Sequence, residues 1–188
     1  MNIKQLIKEC YEEAIIRGDY DCPSCEGDPY ETIQCGCNAT GIDPNKNINE
    51  LIALINLELY KALDCYVSDR FAKADFTKLC YKGLCRDQFQ KTIYRCRIDN
   101  TYESYLASTF IKIFELCGYL QIDLKLIKDR YFNEGWLSVL AGLDIIGVRI
   151  TLEEFTRAVS LLYGFCQYHK IDIEAHVKLK IQYNREIK

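Results

Sequence analysis

Residues 47–63 read Asn47-Ile-Asn-Glu50-Leu51-Ile-Ala-Leu-Ile-Asn-Leu-Glu58-Leu-Tyr60-Lys61-Ala-Leu63. Asn47 and Glu50 have the spacing of a capping box, in which each side chain satisfies a backbone donor left open at a helix start. Leu51, Leu54, Ile55, Leu57, Tyr60 and Leu63 follow at helical spacing, with neither proline nor glycine to interrupt them. The stretch is apolar on most faces and is expected to be the central helix of a bundle.

Four further stretches show the same period. Ile3, Leu6, Ile7, Cys10, Tyr11, Ala14 and Ile15 define a first amphipathic helix that stops at Gly18. Asn100-x-x-Glu103 opens a third helix running to about Leu120, and Thr151-x-x-Glu154 opens a fourth running to about His169. A fifth runs from Ile173 toward the end of the chain. Strand signals are thin: Val148-Arg149-Ile150-Thr151 alternates only briefly, and no Asn-Gly or Asp-Gly hairpin turn separates β-rich runs. The fold class is therefore all-α, as one domain over residues 1–188, with residues 66–150 a candidate additional helical lobe. Residues 18–46 hold all 3 prolines, four of the 10 glycines and four of the 11 cysteines. They form a cysteine-rich, non-helical insert.

A chain of 188 residues can bury a core without disulfides or metal. With 24 Lys+Arg against 27 Asp+Glu, the formal charge is -3. So balanced a surface gives no long-range pull on nucleic acid or anionic lipid. No apolar run approaches the ~20 residues of a membrane span, and MNIKQLIKECYEEAII carries acids inside its apolar pattern, unlike a signal peptide. A cytoplasmic protein is expected, in which cysteines are buried or ligate metal in preference to forming disulfides.

Cys10, Cys65, Cys117 and Cys166 sit among apolar residues at helical spacing and read as small core hydrophobes. Cys22-Pro-Ser-Cys25 and Cys35-Gly-Cys37 bracket a short polar loop, with glycines following each pair, and four such thiolates can surround Zn2+. The alternatives are four reduced thiols on a loop, or a redox-labile Cys22/Cys25 pair. Over about twenty residues this stretch resembles the cysteine- and glycine-rich zinc modules of DnaJ-type proteins, one spacer residue short in its second pair. Cys80-x4-Cys85 with Cys96 is a poorer ligand set, because no fourth ligand is evident. His169 and His176 are the only histidines, and no nucleophile is fixed near either, so neither is assigned a role. A similarity at an offset of 49 residues matches Cys117/Cys166, Tyr119/Tyr168, Ile122/Ile171 and Asp123/Asp172. Shared amphipathic bias accounts for it as well as duplication does, and each copy reads as a helix end, a tight link and an Asp N-cap.

Arg17-Gly18-Asp-Tyr20-Asp21, then Leu51 to Leu63 with Glu58 and Lys61, then Glu153-Glu154 ahead of Ile171-Asp172, and finally Lys180-x-x-Tyr183-Asn184 stand in the order seen in a known family. Together they resemble the MazG-like, all-α nucleoside triphosphate pyrophosphohydrolases over about half the chain. The resemblance implies a helical bundle, usually a homodimer, in which two carboxylate pairs hold Mg2+ against a triphosphate. It places Glu58 and Glu154 at the first position of each pair, but Lys61 and Arg157 stand where their partner carboxylates belong. A cation repels the ion that site must hold. The sharper expectation is an ion-pair cluster of Glu58, Lys61, Glu154 and Arg157 in place of the metal; the alternative leaves Glu154 as a capping acid and the others as unrelated surface residues. Lys180, Asn184 and Arg185 are the implied nucleotide- or phosphate-binding residues.

The leading reading is thus a divergent, weakly active or non-catalytic MazG-like protein with a zinc insert. A working Mg2+-dependent pyrophosphohydrolase would need carboxylates from elsewhere, such as Glu50, Asp64, Glu103 or a second subunit. A third reading is an interaction module using the zinc insert and the basic, aromatic stretch that contains Arg86, Arg95 and Arg97.

Overall fold

The computed structural model describes residues 2–25, 37, 40–73, 92–126 and 151–186. It is all-α. The elements are α1 (Ile3–Ile16), α2 (Ile48–Val67), a single π-helical turn (Tyr94–Ile98), α3 (Tyr102–Tyr119), α4 (Leu152–Tyr168) and α5 (Ile173–Glu186). Among the described residues no strand forms, and an isolated antiparallel bridge joins Asp21 to Ile42. No helix of the described residues is long and apolar enough to cross a membrane. The brief alternation at 148–151 falls almost wholly outside the described residues.

The central helix is α3, not α2. It packs against α1, α2 and α5, and 12 of its residues are buried, from Tyr102 to Cys117. Leu106, Phe110, Ile113 and Phe114 join Leu6 and Cys10 of α1, Ile55 and Leu59 of α2, Phe165 of α4 and Val177 of α5 in one core. By contrast α2 buries a single stripe, Ile52, Ile55, Leu59, Ala62 and Cys65, and leaves Leu54 and Leu57 43% and 48% exposed. An all-round apolar composition marks both helices, so composition could not rank them; α3 is central because three neighbours cover it. Within the stretch 66–150 expected as an added lobe, α3 belongs to the bundle's own core.

The helix starts follow the sequence except in one register. Asn47 Oδ1 accepts from the Asn49 and Glu50 N–H groups, and Asp172 Oδ1 accepts from Ala175 N–H, as capping residues do. At α3 the cap is Thr101 and not Asn100, which takes a left-handed φ of 58°. Glu103, expected to close a capping box, instead accepts the Ala72 N–H at 2.7 Å, so it ties the chain leaving α2 to α3. Burial of that carboxyl raises its pKa.

Four helices end alike. In each, a left-handed residue (Gly18, Asp69, Gln121 or Lys170) is followed by a residue whose N–H reaches back to a carbonyl five positions earlier. These bonds are Asp19 N to Ala14 O, Arg70 N to Cys65 O, Ile122 N to Cys117 O and Ile171 N to Cys166 O, at 2.8–3.0 Å. The left-handed residue donates to the next carbonyl along, which completes a Schellman motif. Each accepting carbonyl belongs to a small, fully buried residue: Ala14, Cys65, Cys117 or Cys166. Three of the four cysteines read as core filler therefore share one structural position. Burial pushes the Cys117 thiol up to about 12 and raises those of Cys65, Cys10 and Cys166, which suppresses thiolate chemistry at all four. The similarity between residues 117–123 and 166–172 is this shared helix ending.

Gly118 of α3 lies directly against Tyr11 of α1. A Cβ at position 118 would lie 2.4 Å from the Tyr11 Cβ. Gly118→Ala should therefore lower stability by about 1–3 kcal/mol through overpacking, against the ~1 kcal/mol gain that alanine gives an open helical site. Urea denaturation followed by circular dichroism measures the sign directly, and a stabilised variant would show that the helices separate without cost.

Candidate functional site

The insert is pinned to the bundle before it reaches its cysteines. Gly18, with φ of 79°, turns the chain out of α1, and Arg17 beside it donates to Asp19 at 2.7 Å and to Glu115 of α3 at 2.6 Å. Lys112 adds a second ion pair to Glu115 at 2.8 Å. Glu115 is only 2% exposed, so its charge requires these partners. The next aromatic residue, Tyr20, is buried, stacks on Tyr119 with ring centroids 5.0 Å apart and meets Tyr11 edge-on.

From Tyr20 the chain forms one side of a short clip. Asp43 N donates to Tyr20 O and Cys22 N to Gly41 O, which aligns residues 20–22 with residues 41–43. Two tight turns sit beyond the clip. Cys25 N donates to Cys22 O across one, and Thr40 N donates to Cys37 O across the other. The Thr40 hydroxyl reinforces the second by donating to the same carbonyl at 2.6 Å. These turns gather Cys22, Cys25 and Cys37, whose sulfurs all lie within 4.8 Å of one another.

All three are nearly inaccessible, at 4%, 1% and 3% exposure, and none is in a disulfide. Cys25 Sγ and Cys37 Sγ are 3.8 Å apart. Four thiolates around Zn2+ at the usual Zn–S distance of ~2.3 Å define a tetrahedron with edges of ~3.8 Å, so the observed separation fits such a site. It is far longer than the ~2.0 Å of a disulfide. The donors are soft sulfur, which suits zinc and excludes a hard cation such as Mg2+. Among the described residues no other group of three or more His, Cys, Asp and Glu ligand atoms comes so close together. Cys35, the fourth cysteine expected in the set, lies outside the described residues, as do Cys80 and Cys85; Cys96 is exposed on the π-helical turn.

The residues carried over from the MazG-like resemblance are placed differently. Lys61 Nζ lies 2.6 Å from Glu58 Oε1, one turn away on α2, and 5.7 Å from the Tyr105 ring centroid. Hydrogen bonding to Glu58 is the main cause of a raised Lys61 pKa. Arg157 is exposed on α4 and makes no ion pair with Glu58, and the Glu154 side chain falls outside the described residues. Two members of the expected cluster are thus joined. The substitute carboxylates are scattered: Glu50 is exposed, Asp64 pairs with Arg70, and Glu103 is held by the Ala72 N–H.

Lys180 is engaged on every side. It donates to Asp99 Oδ1 at 2.7 Å and Ser104 Oγ at 3.2 Å, beneath the stacked rings of Tyr94 and Tyr183. Arg185 donates to Glu13 of α1 at 2.7 Å, and Asn184 is half-buried. Nothing in the sequence paired Asp99 with Lys180, 81 residues apart; the π-helical turn and the left-handed Asn100 bring the carboxylate there. Arg95 and Arg97 are exposed on that turn, and Arg86 lies outside the described residues.

No protein-family model matches the sequence, and comparisons with curated proteins and with solved structures find no match. The resemblance to the MazG-like enzymes therefore rests on the residues quoted above.

His176, assigned no role from sequence, is buried in α5, and its Nδ1 has no hydrogen-bond partner among the described residues. Burial pushes its pKa down to about 4, opposed by the nearby Asp172 carboxylate. The unfolded chain, with an ordinary value near 6.5, binds the proton first, so stability should fall as pH drops from about 6.5 to about 4. The loss should reach about 3 kcal/mol, and His176→Leu should flatten that part of the pH profile. Equal pH dependence in both proteins would assign the loss to other groups.

Proposed function

We propose that the chain is a non-catalytic helical scaffold whose insert is held together by a structural zinc ion. The ligands in this reading are Cys22, Cys25 and Cys37, with Cys35 supplying the fourth thiolate. The supporting observation is the convergence of three buried sulfurs from two tight turns. In a short polar insert, three buried thiols contribute little apolar area. A closed set of four thiolates would supply the missing cohesion, since ligand binding in such modules is itself folding free energy. Zinc there has a structural and not a catalytic role, because a closed set leaves no position for water or substrate.

Descent from MazG-like enzymes is part of this reading and rests on the sequence resemblance around Glu58, Glu154, Lys180 and Asn184. The absence of turnover is supported by how the charges are used. Glu58 is neutralised by Lys61 instead of being free for Mg2+. Phosphate binding at Lys180 and Arg185 would have to displace Asp99 and Glu13.

Metal analysis of the reduced, full-length chain should return about one equivalent of zinc after dialysis, and Cys25→Ser or Cys37→Ser should lose it. Less than about half an equivalent in the unsubstituted protein would reject the zinc reading. Assayed with Mg2+ or Mn2+, the chain should release no pyrophosphate from nucleoside triphosphates. Release that Glu58→Gln abolishes would overturn the non-catalytic assignment.

A further inference from the structure

We infer that Tyr119 couples metal occupancy of the thiolate cluster to the packing of the bundle, so that zinc controls the docking of residues 18–25 and 40–46 on α3; this rests on the zinc reading above. Tyr119 touches both sides of the clip that leads to the cysteines. Its ring stacks on Tyr20, two residues before Cys22. Its hydroxyl donates to Asp43 O at 3.0 Å and accepts from Lys46 N at 3.2 Å, on the side that carries Gly41 and Thr40 away from Cys37. Cys22 N and Gly41 O close the clip between these contacts and the sulfurs, at 2.8 Å.

One turn earlier on α3, Glu115 holds Arg17 at the start of the same segment. The segment is therefore fixed to α3 at its entry by charge and on both sides of the clip by the tyrosine. A metal drawing the two tight turns together restrains both sides of the clip in the arrangement that Tyr119 recognises. Linkage makes this reciprocal: docking on Tyr119 strengthens metal binding by the factor by which the metal stabilises docking. Tyr119 acts as a positioning residue, through Tyr20, Asp43 and Lys46.

The test titrates the reduced full-length chain and its Tyr119→Phe and Tyr119→Leu variants with zinc against a chromophoric chelator, and follows amide hydrogen exchange at residues 116–120 with and without zinc. The phenylalanine keeps the stack and loses the two hydrogen bonds; the leucine loses both. Each variant should still bind one equivalent, about threefold more weakly for Tyr119→Phe and about tenfold more weakly for Tyr119→Leu. Removing zinc from the unsubstituted chain should speed exchange at 116–120 by about tenfold, and by much less in Tyr119→Leu. If all three proteins bind zinc equally well, or if zinc removal leaves exchange at 116–120 unchanged, the coupling is wrong and the zinc site stands. If the unsubstituted chain binds no zinc, both are wrong. Should Tyr119→Leu fail to fold, Tyr119→Phe decides the question alone.

Discussion

A carboxylate at the centre of a helical bundle has to be neutralised where it sits, and Glu115 is such a group. It lies on the helix against which α1, α2 and α5 pack, with 2% of its surface exposed. Leaving it unpaired would cost several kcal/mol, a large part of the net stability of a domain this size. Lys112 reaches it from the preceding turn of the same helix, and Arg17 from the residue that follows α1. The second of these has architectural consequences. It fixes where α1 ends against α3, hence the direction in which Gly18 turns the chain and the place where Tyr20 finds Tyr119. The cysteine segment starts from that anchor, and the clip between residues 20–22 and 41–43 sets its two tight turns side by side, where three sulfurs meet.

The cysteines divide by what their surroundings ask of them. At Cys65, Cys117 and Cys166 the helix must end and the chain reverse directly beneath a packed interior, so the residue there must be small, apolar and able to lend its carbonyl to the returning N–H. Ala14 meets the same requirements at the end of α1. Burial suppresses the thiolate at these positions. At Cys22, Cys25 and Cys37 the surroundings are short polar turns with little else to bury, and the sulfurs face one another.

Charge follows a similar division. The structure supplies a specific anion for each of three cations: Glu58 for Lys61, Asp99 for Lys180 and Glu13 for Arg185. The near balance of acids and bases in the sequence is thus partly a balance of specific pairs. The Lys180 pair is the most enclosed of the three, and it locks the π-helical turn to α5 together with the Tyr94 and Tyr183 rings.

Local signals were enough to read most of this fold. The 3.6-residue period placed the helices, Asn47 and Asp172 marked two starts, and Gly18 marked a stop, because each depends on backbone donors and acceptors within a few residues. The Cys22-x-x-Cys25 spacing was legible for the same reason. Asn100 misled, since a side chain that caps well also tolerates the left-handed conformation that it adopts here one residue before the true cap. What the amino-acid order alone determined is therefore the all-α class, the helix limits and the half-site of the thiol cluster. Only the tertiary structure decided that α3 is central, that Cys22, Cys25 and Cys37 are all buried, and that Lys180 belongs to Asp99. Those outcomes depend on which faces meet and which charges are enclosed together, and residues far apart in the chain carry no local trace of one another.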